Sequence, residues 1–239
     1  MSDLVIITGA SSGLGLALAR AVPFEAHIVD VSRSGPPGDS IQHVPADLSD
    51  PDTWPGVGHA MRGVIEEHSP ARAVFIHAAG TLDPIGFAGE VDTRGYVDNV
   101  ILNSAAGQVL GHLFLEAIHG RSGLFDLVMI TSGAARSIYP GWSAYGAGKA
   151  ALDQWVRVVG GEQRERGGAR VSAIAPGVVA TAMQSMIRDT AERDFPQVER
   201  FHALHDDGML VEPAEAARRI WTLIEAGIET GTVTDIRDV

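Results

Sequence analysis

The run "LVIITGASSGLG" (residues 4–15) decides the fold. An apolar, β-rich segment, "LVIIT" (4–8), runs directly into a glycine-rich turn, and the turn opens the helical pattern "LGLALARAV". Gly9, Gly13 and Gly15 stand where a tight turn and a close backbone approach are needed, and Ser11, Ser12 and Leu14 complete the segment. The start of the helix then offers unpaired N–H groups and the positive end of its dipole to a pyrophosphate. A glycine-rich strand–helix turn without a ligand is the competing reading. The strand before it and the helix after it favour nucleotide binding.

The same alternation continues along the chain. "HIVDV" (27–31), "AVFIH" (73–77), "DLVMIT" (126–131) and "RVSAIA" (170–175) are apolar on both faces, as buried parallel strands are. Helical patterns lie between them: "VGHAMRGVIEEH", the long stretch from Val91 to Ile118, and "ALDQWVRVVGGEQRER". "EPAEAARRIWTLIEAG" follows near the end, with Pro213 suited to a first helical turn. This order predicts an α/β fold: one Rossmann-type domain over 1–239, a doubly wound parallel sheet with helices on both faces. No repeat, linker or low-complexity tract divides it, and the turn-rich "SRSGPPGDS" (32–40) is too short to be a boundary.

Composition narrows the function. The 239 residues carry a formal net charge of −12, which repels a phosphate backbone and excludes a nucleic-acid role. With 45% hydrophobic and 20% charged residues the chain has the balance of a soluble globular protein. It has no cysteine, so no disulfide, thiolate nucleophile or cysteine metal site. "MSDLVIITGA" enters a strand without a basic leader, and no apolar run reaches the roughly 20 residues that span a bilayer. A soluble cytoplasmic protein, with no membrane partner, is the expectation. His202 and His205 in "FHALH" have a metal-compatible spacing, but no further ligands cluster with them, so no metal is expected.

"GWSAYGAGKAALDQW" (141–155) sets Tyr145 and Lys149 four residues apart, one turn apart on one helix face. A free tyrosine titrates near ~10, too high for ready proton exchange at neutral pH, and a neighbouring ammonium favours the phenolate. Alone, such a pair is common on solvated helices.

The glycine spacing G-x-x-x-G-x-G together with Tyr-x-x-x-Lys resembles the classical short-chain dehydrogenases/reductases, almost end to end. "TSGAA" and "GWSAYGAGKAA" look closest to the branch with sepiapterin and benzil reductases. The resemblance implies a catalytic set of Asn103, Ser132, Tyr145 and Lys149. Ser132, at the end of "LVMITS", would position the carbonyl and Tyr145 would donate the proton. Lys149 would lower the tyrosine pKa and hold the nicotinamide ribose. Asn103, preferred over Asn99, would hold a water linking the lysine to solvent.

The cofactor follows from the second strand. An acidic residue about 20 positions beyond the glycines would bind the ribose of NAD, and Asp30 sits at that distance. The strand continues to Val31, however, which leaves Asp30 inside it. The resemblance puts the selecting positions at Ser32 and Arg33, and a guanidinium matches a 2′-phosphate in charge and donor geometry, so NADP(H) is favoured over NAD(H). Asp47 and Leu48 of "ADLSD" match the adenine pocket. Ala79 and Gly80 of "HAAG" permit close approach, while His77 and Ala78 depart from the usual Asn-Asn; His77 is expected to be a hydrogen-bonded core residue. In "APGVVAT" (175–181), Pro176 and Gly177 lead to Val179 and Thr181, which would hold the carboxamide through backbone and hydroxyl.

The segment at about 182–211 matches the family's mobile substrate loop. Met183, Met186 and Phe195 offer apolar surface there, and Tyr139 and Trp142 could form aromatic walls. The lack of a basic rim argues against carrier-protein or acyl-CoA substrates, and "TGTVTDIRDV" lacks the Val-Asp-Gly-Gly ending of oxoacyl-carrier reductases. Asp235 falls near the aspartate that anchors pterin in sepiapterin reductases. These features point to a small-molecule carbonyl substrate, a ketone or vicinal diketone. An NAD-dependent alcohol dehydrogenase, a pterin reductase and a non-catalytic NADP-binding regulator remain as alternatives. Helices 91–118 and 142–166 carry apolar residues on several faces, and the resemblance, in which the matching helices build a subunit interface, implies a homodimer or homotetramer.

Overall fold

The computed structural model describes residues 3–38 and 40–238; Met1, Ser2, Asp39 of the turn-rich loop and Val239 lie outside the described residues. Seven strands, β1 (Asp3–Thr8), β2 (Ala26–Ser32), β3 (Gln42–Pro45), β4 (Arg72–His77), β5 (Leu124–Ile130), β6 (Arg170–Ala175) and β7 (Thr232–Asp235), form one sheet in the order β3-β2-β1-β4-β5-β6-β7. Every pairing is parallel. The chain moves outward from β1 to β3, then returns to β4 on the other side of β1. That reversal opens a crevice at the carboxyl ends of β1 and β4, where ligands bind in such sheets.

The period of two in β1 supplies both cores. Leu4 and Ile6 face one layer with Phe75, Phe114 and Leu152; Val5 and Ile7 face the other with Leu18, Ile220 and Trp221. The first layer is covered by α2 (Trp54–His68), α4 (Gly107–Ala117) and α5 (Ser143–Arg166), the second by α1 (Gly13–Arg20) and α8 (Pro213–Ala226). The Trp221 indole donates to the Leu18 carbonyl at 2.9 Å, which ties α8 to α1 across 203 residues.

The long helical stretch read over 91–118 is not one uniform helix. It starts with α3 (Thr93–Val100), where the Asp92 carboxylate accepts from the Gly95 N–H at 2.7 Å. It then passes through a π-helical segment, Ile101–Ala106, before α4. Such segments carry one extra residue in the turn and recur at functional sites. Asp30 lies within β2, paired with Ile7, and is completely buried, as its place short of the strand tip implies.

The glycine turn is sterically closed to side chains. A Cβ on Gly15 would lie 2.2 Å from the Gly9 carbonyl oxygen, and one on Gly9 (φ +77°) 3.0 Å from Ala79 Cα. Gly15→Ala should therefore destabilise the protein by about 1–3 kcal/mol, the range for overpacking a tight contact, and abolish dinucleotide binding. An unchanged denaturant midpoint would contradict this geometry.

Candidate active site

The glycine turn, the tips of β4 and β5, and the helices behind them meet at the switch point. Gly9 abuts Ala79, and the site where Gly13 would carry a Cβ is 3.5 Å from Thr181 Cγ2. A Cβ on Gly80 would lie 2.9 Å from Asn103 Oδ1 and 3.5 Å from Lys149 Nζ. The cradle at 9–15, the Ala79–Gly80 strip, Thr181, Asn103 and Lys149 thus lie side by side. The glycines let these segments pack tightly against one another, and the bare backbone they leave along the turn suits the close approach of a dinucleotide, so the residues fit such a cofactor.

A threonine and an aspartate, neither one a phosphate ligand, hold the cradle in shape. The Thr8 hydroxyl bonds His77 Nδ1 at 2.9 Å and accepts from the Ala78 and Ala79 N–H groups at 3.1 and 3.2 Å. The Asp30 carboxylate accepts from the Ala10 N–H (2.8 Å) and the Ser32 hydroxyl (2.6 Å), and pairs with His43 Nδ1 (2.9 Å). Ser32 in turn accepts from the Gly35 N–H at 3.2 Å. Arg33 is exposed beyond this knot. Asp47, whose carboxylate accepts from the hydroxyl (2.6 Å) and N–H (3.0 Å) of Ser49, is held below the usual carboxylate range mainly by the hydroxyl, with Arg33 and Arg94 adding smaller pulls. Leu48 beside it is buried.

Lys149 is 3% exposed, and its ammonium donates to the Ile130 carbonyl at 2.9 Å. Burial lowers its pKa to about 8, opposed by the charge of Asp153 one turn further along α5. Asp153 is itself buried and accepts from the Thr131 hydroxyl at 2.5 Å. Burial pushes its pKa up, against Thr131 and the charges of Arg157, Arg136 and Lys149. His77, completely buried, is held neutral with a pKa of about 3 by burial and by the neighbouring Lys149. It is a core histidine that clamps β4 to β1.

Tyr145 does not behave as its spacing from Lys149 suggests. Burial raises its pKa, and the opposing pull comes from a hydrogen bond with Ser132. Lys149 Nζ stands 5.8 Å from the centre of the tyrosine ring and is turned to the Ile130 carbonyl. Ser132 begins a short 3-10 turn (Gly133–Ala135), its hydroxyl accepting from the Ala134 N–H at 3.1 Å. The Asn103 side chain is engaged too: Nδ2 donates to the Thr81 carbonyl (2.7 Å) and Asn99 Oδ1 (2.8 Å), and Oδ1 accepts from the Thr81 N–H (3.1 Å). Its backbone carbonyl faces Gly148, where a Cβ would lie 3.2 Å away. That carbonyl, not the amide, is the group turned toward the lysine helix.

Segment 176–181 folds beside the cradle. Val179 bridges Val211, but the bonds run from Ala180 N–H to the Val211 carbonyl (2.9 Å) and from Val211 N–H to the Val178 carbonyl (2.9 Å). The Val179 N–H takes no part in that bridge. Gly177 has φ +70°, and Pro176 leads into it from the tip of β6.

Helices α6 (Ala182–Arg188) and α7 (Val198–Asp206) cover Tyr145 with an aromatic stack. Trp142 lies parallel to Phe195 (centroids 4.6 Å, 6°), with Tyr139 at 4.8 Å, Phe201 at 5.4 Å and Tyr145 edge-on at 5.8 Å. Met183 packs against this cluster. Met186 does not: it is 36% exposed, lying about 200° round α6 from buried Gln184. The rim is not free of basic groups either, because Arg200 donates to the Tyr139 hydroxyl at 3.3 Å and Arg237 is largely exposed. Asp235 is occupied by Arg237, which binds it with two nitrogens at 2.8 and 2.6 Å. An open cleft of about 490 Å³ borders Phe87, Ile138, Tyr139 and Ala147 but touches none of Ser132, Tyr145 and Lys149. Among the described residues no group of three or more metal-ligating side chains occurs, and no helix is long and apolar enough to cross a membrane.

Sheet order, glycine turn and switch-point cleft define a Rossmann-type dinucleotide fold. Residues 3–192 match the family described as short chain dehydrogenase, and the chain belongs to that family of nicotinamide-dependent oxidoreductases. It is 33% identical over 240 residues to the benzil reductase ((S)-benzoin forming) of Bacillus subtilis, covering 99% of both chains. It is 28% identical to the sepiapterin reductase of Rattus norvegicus, covering 98% of this chain and 96% of that one. In architecture it is similar to the crystal structure of YIR035C from Saccharomyces cerevisiae, with a TM-score of 0.84, 23% identity, and 99% and 96% coverage.

Between pH 8 and 10.5 the unfolded chain binds a proton on Lys149 that the folded chain has released, so stability rises with pH through that window. Compared with Lys149→Met, the native protein should therefore gain in unfolding free energy as pH is raised from 8 to 10. A pH-independent difference between the two would show that the ammonium is not buried as described.

Proposed function

We propose that the protein is an NADPH-dependent carbonyl reductase acting on a ketone or vicinal diketone, with Tyr145 as general acid. The observation that carries this reading is the position of the Tyr145 phenol, buried beside Ser132 and Lys149 under an aromatic lid. At neutral pH the phenol carries the proton that a carbonyl oxygen would take; burial, which raises its pKa, works against release, and the positive charge of Lys149 on the same helix face is what eases it. The family relationship to benzil reductases supports the substrate class.

The nicotinamide supplies the hydride when bound. Ser132 hydrogen-bonds the substrate oxygen and Tyr145 delivers its proton there. Lys149 brings positive charge to the ribose side, and the Asn103 backbone carbonyl continues the proton route toward solvent. Gly9, Gly13 and Gly15, with Ser11, Ser12 and Leu14, hold the pyrophosphate. Asp47 and Leu48 take the adenine; Val179 and Thr181 take the carboxamide.

Arg33 reads the 2′-phosphate. Asp30 cannot serve as a ribose ligand for NAD while its oxygens are engaged with Ala10, Ser32 and His43. The pterin reading is weakened in the same way by the Arg237 grip on Asp235. Exposed Val97 and Val100 on α3 and Val158 on α5 support a homo-oligomer built on these helices.

With benzil as acceptor, NADPH should be consumed and NADH much less, as followed by absorbance. Tyr145→Phe should reduce turnover at least about 100-fold, the scale of a general acid, and retain NADPH binding. Arg33→Ala should raise the NADPH Kd about tenfold or more, as the loss of a charge-assisted bond does, and leave NADH unaffected. Full activity in Tyr145→Phe would exclude this chemistry, and an unchanged NADPH preference in Arg33→Ala would exclude the phosphate site.

A further inference from the structure

The lid contains a donor that nothing around it accepts. Trp142 is 7% exposed, and its indole Nε1–H has no hydrogen-bond partner among the described residues. Buried N–H groups are almost always paired, so one that is not calls for an acceptor from elsewhere. The apolar side chains clustered with it, Leu82, Ala134, Ile187, Phe195, Val198 and Phe201, cannot provide one. Nor can the ring turn to find one, since it is stacked on Phe195 at 4.6 Å with an interplanar angle of 6° and braced by Tyr139 at 4.8 Å. The edge-on contact at 5.8 Å sets it directly beside the Tyr145 ring.

We infer that the Trp142 indole N–H recognises a second oxygen on the substrate, on the carbon next to the carbonyl held by Ser132 and Tyr145, and so selects vicinal diketones over simple ketones. The inference rests on the carbonyl-reductase reading above and goes beyond it by naming the group that tells the two substrate classes apart. The second oxygen is not chemically changed; it only accepts the indole hydrogen bond. A ketone lacking that oxygen leaves the N–H unpaired and loses the gain, which is how buried polar groups discriminate between substrates of nearly equal shape.

One intramolecular rival exists. Gln184, 2% exposed on α6, has an unpartnered Oε1, and its Nε2 donates to the Phe201 carbonyl at 3.2 Å. If the indole serves to latch this lid helix through Gln184, its loss would affect every substrate alike.

The test compares benzil with deoxybenzoin, in which one carbonyl is a methylene, using NADPH and the full chain. In Trp142→Phe the benzil-to-deoxybenzoin ratio of kcat/KM should fall about tenfold, the scale of one buried hydrogen bond. Site-specific replacement of Trp142 by 3-benzothienylalanine, which has sulfur in place of the N–H on the same bicyclic frame, should give the same fall without a change in packing. Gln184→Met should leave the ratio as in the native protein. Equal losses on both substrates, or no change in the ratio in the benzothienyl variant, would overturn the inference while leaving the carbonyl-reductase reading intact. Failure of the native protein to reduce either ketone would overturn that reading, and the inference with it.

Discussion

Keeping a positive charge on Lys149 where water scarcely reaches it is the constraint on which the site depends. The ammonium leans on a backbone carbonyl, Ile130, at the end of β5. Asp153, one turn further along the same helix, gives its carboxylate to the Thr131 hydroxyl. Had the carboxylate met the ammonium directly, the pair would have satisfied itself, and the lysine would have had no charge to lend. The glycines at 80 and 148 contribute by omission: each lets Asn103 come closer than a methyl group would permit, and that proximity brings the π-helical segment against the lysine helix.

The opposite end of the cleft is organised by a second buried charge. Asp30 joins the glycine turn, the tip of β2 and β3 through the oxygens of one side chain. Its position makes it resemble an NAD ribose ligand in the sequence, yet its burial takes it out of that role. Arg33, just beyond, is left exposed at the rim, on a tip that the aspartate ties down through Ser32 and His43.

How much of this was legible in the sequence depended on the reach of each constraint. The glycine turn, the alternating strands and the Tyr145–Lys149 pair are local: a turn that admits no Cβ, a period of two, a spacing of four. They could be read from the chain because the physics acts over a few residues. Asp30 was readable halfway, since its place inside the strand could be counted but its partners at Ala10 and His43 could not. The Trp142–Phe195 stack joins residues 53 positions apart through a lid whose path no pattern specifies. Met186 looked equivalent to Met183 for the same reason, since short helices show too few residues to reveal which side faces inward. The engagement of the Asn103 amide was hidden as well, because its partners, Thr81 and Asn99, become neighbours only through the π-helical turn.

That turn has a consequence for how the protein could have changed over time. A π segment amounts to one residue inserted into an α-helix, and each residue of an α-helix advances it by about 100°. Deleting a single residue between Ile101 and Ala106 would restore an ordinary helix and swing everything before it by a quarter turn or more relative to α4. Asn99 would leave Thr81 and Asp83, while Leu110 and Phe114 stayed in the core. The two halves of the helix therefore run on separate phases, one set by the mouth of the cleft and the other by the sheet. Substitutions can accumulate on either without forcing the other out of register, but a change in length there would affect both at once.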